Sequence, residues 1–128
     1  MHRSLSILAL AAVLTGCHRS PKFEGTWVLD RVRPDGVKIH SVSKIAPDGK
    51  YLTQTSAFTN SVLAFAVKSE GTFEINDGYL IDTMTKHSEP TVPLPSVFRA
   101  RIIRFDEREL VAHDDANSAD VVFRKETK

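Results

Sequence analysis

Three corners of one kind punctuate this chain: Pro34-Asp35-Gly36, Pro47-Asp48-Gly49 and Asn76-Asp77-Gly78. Each supplies residues that tolerate positive φ in a tight turn, and the close spacing leaves room for short strands joined directly to their neighbours. Apolar and polar residues alternate between the corners. In Gly71-Thr72-Phe73-Glu74-Ile75, Phe73 and Ile75 share one face and Thr72 and Glu74 the other, as a half-buried strand requires.

The same pattern runs from Phe23-Glu24-Gly25-Thr26-Trp27-Val28-Leu29 through Val37 to Ile45, Lys50 to Thr55 and Tyr79 to Met84. It continues in Phe98 to Phe105, Glu109 to His113 and Asp120 to Arg124. Two stretches stand apart. Residues 56–67 hold Ala57, Phe58, Val62, Leu63, Ala64, Phe65 and Ala66, a run whose period fits a short helix as well as a buried strand; strand is the preferred reading. Glu89-Pro90-Thr91-Val92-Pro93-Leu94-Pro95 has three prolines that remove ladder donors, so it is expected to be a stiff loop at one rim. The expectation is an all-β domain: a single antiparallel up-and-down β-barrel of about eight strands.

Ahead of the strands lies a segment of another kind. Met1-His2-Arg3 is followed by an apolar run from Leu5 to Leu14, a charged n-region and an h-region shorter than the roughly 20 residues needed to span a bilayer. Its end, Leu14-Thr15-Gly16-Cys17, resembles the lipobox of bacterial lipoproteins. That resemblance implies a signal peptide over residues 1–16, cleavage before Cys17, and acylation of the Cys17 sulfur and the new amine, with palmitate among the usual chains. Several acyl chains make a durable anchor. His18 rather than Asp at the next position implies, again by resemblance, placement in the cell outer membrane facing the periplasm.

Cys17 is the chain's one cysteine, so no intramolecular disulfide forms in an oxidising compartment. Residues 17–22 read as a lipidated tether and 23–128 as one domain. The precursor carries 17 basic and 16 acidic residues. Arg3 is the one charge lost with the signal, so the mature chain is balanced, which gives no electrostatic reason to expect a nucleic acid partner.

Gly25-Thr26-Trp27 at the start of a meander is similar to the Gly-x-Trp signature of lipocalins and the shorter bacterial lipocalin-like domains. The resemblance implies that Trp27 closes the barrel bottom and packs against a basic residue of the last strand, with Arg124 the matching candidate. The alternative is that Trp27 is a plain core residue.

A search for chemistry returns little. His2, His18, His40, His87 and His113 form no spaced metal pair. His113-Asp114-Asp115 with Asn117 and Asp120 departs from a calcium loop and reads as a solvated turn. There is no Gly-x-Ser-x-Gly and no phosphate loop. The expectation is a protein that is not an enzyme, with no metal and no cofactor. Arg99 and Arg101 share a strand face and either bind an anion or a partner's carboxylates, or pair across strands with neighbours such as Glu109.

Two functions follow as expectations. One is a lipid-anchored barrel holding a small apolar or amphipathic ligand, lined by Trp27, Leu52, Phe65, Phe73, Ile75, Ile81 and Ile102. The other is an envelope interaction module, an inhibitor or assembly factor, with a solid barrel and a binding surface.

Overall fold

The computed structural model describes residues 22–126. The expected signal peptide at 1–16, Cys17 and all of the tether but Lys22 lie outside the described residues. Eight antiparallel strands form a closed barrel in which each strand pairs with the next and β8 returns to β1. They are β1 (Gly25–Val32), β2 (Lys38–Ile45), β3 (Lys50–Thr59), β4 (Val62–Asn76), β5 (Tyr79–His87), β6 (Ser96–Phe105), β7 (Glu109–Asp114) and β8 (Ala119–Lys125). This is the all-β, up-and-down architecture that the corners predict.

The corners behave as their chemistry requires. Gly36, Gly49, Asp77 and Gly78 all have positive φ, and the last two form the two-residue hairpin between β4 and β5. Residues 56–67 are strand rather than helix: they form the far end of β3, a tip at Asn60-Ser61 with φ of 52° and 68°, and the start of β4. The proline-rich stretch joins β5 to β6 at one rim.

The two ends of the barrel differ. At one end stand the start of β1, the Ala46–Gly49, Asp77-Gly78 and Asp106–Arg108 turns, and the end of β8. Backbone bonds stitch this end together: Phe73 N–H donates to Gly49 O at 2.8 Å, Ile102 N–H to Gly78 O at 2.8 Å and Lys125 N–H to Arg108 O at 2.8 Å. Phe23, which precedes β1, closes the end with an aromatic plug. Its ring lies 4.9 Å from Trp27, 5.3 Å from Phe73 and 6.0 Å from both Phe105 and Phe123, and its carbonyl accepts a 3.0 Å bond from Trp27 Nε1. Each such aromatic pair adds roughly 0.5–1.5 kcal/mol beyond the area buried.

Trp27, Leu80 and Leu110 are fully buried around this plug, with Ile45, Tyr51, Ala100, Ala112 and Phe123 completing the core. The opposite end carries the Arg33–Val37 corner, the Asn60-Ser61 tip, the proline-rich loop and the turn between β7 and β8. It is not plugged.

β4 is longer than the segment from Gly71 that the alternation marks out. A register shift at Glu70/Gly71 bends it, and β5 pairs with it only from Ser69↔His87 downward. Residues 62–67 therefore pair with β3 but, among the described residues, have no ladder on their other edge.

Candidate functional site

Strand register decides which side chains face the interior, because the side-chain period is two. Midway along β2 and β3, between Ile39 and Ile45 and between Tyr51 and Ala57, the inward residues are polar: Ser41 and Ser43 face Thr55 and Thr53 across the sheet. Their hydroxyls are 2.9 Å apart in the first pair and 2.6 Å in the second. Two hydroxyls sharing one bond still have a second hydrogen and free lone pairs to offer. The row is thus a ladder of donors and acceptors, continued by Ser69 beside Thr53 on β4.

The wall opposite is apolar. Met84 on β5, Phe98 on β6 and Val121 on β8, with Leu29 on β1 beside Ser41, line with the hydroxyl row a cavity of about 250 Å³. Tyr51, Phe73 and Phe123 form its floor, the upper surface of the aromatic plug. Arg31, near the mouth at the end of β1, completes the lining together with Asp114. The cup falls just below the roughly 300–1,000 Å³ of common ligand sites, which limits an occupant to a small molecule. The cup interrupts an otherwise packed interior.

Asp82 stands in this cup. It lies in register between Phe73 on β4 and Phe98 on β6, and its Oδ1 accepts a 2.6 Å bond from the Tyr51 hydroxyl. Desolvation pushes the Asp82 carboxyl above the ordinary carboxylate range, partly offset by that bond. Burial first, and then the neighbouring carboxylate, push the Tyr51 phenol well up, so it remains a donor at neutral pH. Asp114, at the rim, has both oxygens occupied by its own turn: Oδ1 accepts from Ala116 N–H at 3.0 Å and Oδ2 from Asn117 Nδ2 at 2.7 Å.

Of the seven residues expected to line a cup, Phe73 does so. Trp27 and Ile102 are inward but belong to the core below the cavity. Ile75 is inward in register with Leu80 yet lies at the closed end, where it borders an open depression beside the Ala46–Gly49 turn. Phe65 is inward in register with Ala57 but sits on the protruding part of β4, 44% exposed. Leu52 and Ile81 require correction. Leu52 pairs with Lys44 and Glu70, and Ile81 with Glu74 and Arg99, so both lie on the outer face.

Arg124 is likewise corrected. It points outward, where its Nη2 donates to Asp30 Oδ2 at 3.2 Å. The next residue faces Trp27 in the β1–β8 register, and its ammonium, Lys125 Nζ, lies 5.6 Å from the Trp27 ring centroid. Trp27 is buried at the closed end, and Lys125 rather than Arg124 is the basic residue against it.

Arg99 and Arg101 share the outer face of β6 and are both engaged. The Arg99 guanidinium stacks 4.1 Å from the Tyr79 ring centroid, and Arg101 lies 3.7 Å from Asp115. Glu109 pairs with Arg104 instead. Neither arginine is brought to the cavity.

Sequence reasoning missed the hydroxyl ladder, Asp82, Tyr51 and the Phe23 plug. The period-two pattern of Tyr51-Leu52-Thr53-Gln54-Thr55 carries the signal for the first: the β-branched threonines and the tyrosine share a face.

No protein-family model and no curated protein matches the chain. Among solved structures, a designed protein described as "De novo design of a fluorescence-activating beta barrel" is similar over 81% of this chain and 94% of that chain, at 13% identity and a TM-score of 0.50. At that identity the likeness is one of fold: the chain is an eight-stranded antiparallel β-barrel.

Proposed function

We propose that this protein is a lipid-anchored, lipocalin-like envelope lipoprotein whose barrel binds a small amphipathic molecule and performs no chemistry on it. The observation that carries the reading is the two-sided cup, lined by Ser41, Ser43, Thr53 and Thr55 and by Leu29, Met84, Phe98 and Val121. A purely apolar ligand would leave unused the hydrogen-bonding capacity that remains beyond the Ser41–Thr55 and Ser43–Thr53 bonds. An amphipathic one satisfies both walls.

The anchor rests on Leu14-Thr15-Gly16-Cys17, and its proposed place is the outer membrane, facing the periplasm. Labelled palmitate should enter the wild-type chain and not Cys17→Ser. For the cup, native mass spectrometry of the purified protein should return a bound small molecule, or a titrated amphipathic dye should bind with saturation. Recovery of bare protein that also ignores the dye sinks the ligand reading.

A second reading, docking of an envelope protein, is favoured by one feature: the unpaired edge of β4 over residues 62–67, Val-Leu-Ala-Phe-Ala-Val, which has no charge and no proline. Such an edge is a template for strand addition. A photocrosslinker at position 64 should give a discrete adduct in whole envelopes that Phe65→Lys removes; a clean lane without adduct rejects this reading.

A further inference from the structure

The head group of the ligand can be read from what the cup leaves unanswered. Asp82 is the acid whose second oxygen has no protein donor inside the cavity: Tyr51 occupies Oδ1 and nothing among the described residues bonds to Oδ2. No side-chain polar atom sealed from solvent lacks a partner among the described residues, so Oδ2 opens onto the cup itself. Asp82 also has no ion-pair partner among the described residues, and its flanking neighbours in register are Phe73 and Phe98. The one cation of the lining, Arg31, is exposed and lies close to the Arg33–Val37 corner at the mouth.

A carboxylate set among aromatic rings with one neutral donor is short of positive charge. Tyr51 cannot supply it, and the serines and threonines are turned to one another on the facing wall. An anionic head would be repelled, and a neutral one would leave the charge uncompensated. An ammonium supplies three donors and the opposite charge, while the rings of Phe73, Phe98 and Tyr51 offer π-faces to a cation and apolar surface to its carbon body.

We propose that the cup selects small organic amines: a primary ammonium seated on Asp82 Oδ2 and the hydroxyl ladder, with a short apolar body against Leu29, Met84, Phe98 and Val121. The proposal rests on the reading of the barrel as a ligand cup.

The test uses the purified full chain titrated calorimetrically at pH 7.5, a condition of the assay, with three probes that share one six-carbon tail: hexylammonium, hexanol and hexanoate. Hexylammonium should bind roughly tenfold or more tightly than hexanoate, with hexanol between them, since charge-assisted bonds are about twice as strong as neutral ones. Asp82→Asn should erase that preference, because the charge that separates ammonium from carboxylate is removed. Hexanoate binding as tightly as hexylammonium, or an Asp82→Asn variant that keeps the preference, overturns the amine proposal and leaves the cup reading standing. Absence of binding by all three probes overturns both. The comparison among probes on the wild-type chain needs no variant, so a poorly folded Asp82→Asn does not blunt it.

Discussion

Gly71 lies against the backbone of Thr83 so closely that a β-carbon on it would stand 2.0 Å from the Thr83 carbonyl oxygen and 2.8 Å from Met84 Cα. The register shift between Glu70 and Gly71 brings the two strands together there, and glycine in a strand often marks such a bend. Gly71→Ala should therefore destabilise the barrel by about 2–3 kcal/mol, since backbone rather than a flexible side chain must give way. Urea midpoints measure it; an unchanged midpoint would mean the strands part at no cost.

The base of the barrel gives a prediction about neighbouring residues. Lys125 lies over Trp27 and Arg124 lies on the surface beside Asp30. Lys125→Ala should cost about 1 kcal/mol through lost cation–π contact and stem packing, and Arg124→Ala less than about 0.5–1 kcal/mol, as for an exposed ion pair. Trp27→Ala should cost about 3–5 kcal/mol. A larger loss from Arg124→Ala than from Lys125→Ala in chemical denaturation contradicts the packing described for the plug.

Asp82 makes stability depend on pH in an unusual direction for a carboxylate. Its folded carboxyl holds a proton to higher pH than the unfolded one, because burial opposes the charge. The folded state thus binds more protons across the window from about pH 3.9, the unfolded value, up to the raised folded value. Within that window this group's contribution falls as pH rises, and above it the loss is complete and constant. Asp82→Asn does not titrate, so its stability relative to wild type should climb through the window and then level off. Parallel urea-stability profiles for the two proteins would show that Asp82 titrates as it does in water.

How far the sequence reveals all this depends on which signal is local. The Asp-Gly corners carry their own geometry, since positive φ at Gly36, Gly49, Asp77 and Gly78 needs no tertiary information. The eight-strand meander follows from them. Facing is different. Leu52 and Ile81 read as inward because apolar side chains usually are, yet on β3 and β5 the interior takes Thr53 and Asp82, and the apolar neighbours turn out. A cup that is polar on one wall inverts the usual pattern, and only the register reveals it. Arg124 and Lys125 differ by one position, which in a strand is the whole difference between outside and inside. Phe23 lies before the first strand, where no periodicity announces that it folds under the barrel as a plug.

The free edge of β4 carries a prediction about solution behaviour. Phe65 is 44% exposed on it, so Phe65→Lys should leave stability within about 0.5 kcal/mol. A charge placed there should nonetheless suppress edge-to-edge association. Light scattering during slow heating should rise later and less for the variant; identical traces would mean that association starts elsewhere.

Lys125 pairs with Trp27, and Glu126 N–H donates to Thr26 O at 2.8 Å, so the chain arrives and departs on the same side of the molecule, under the plug. Lys22 and Glu126, the first and last described residues, thus stand at the stem of a goblet rather than at its bowl. A barrel cut back to residues 22–126 therefore has ends near enough to be joined by a short bridge, and such a ring offers Asn60-Ser61 or 88–95 as a new opening away from the base.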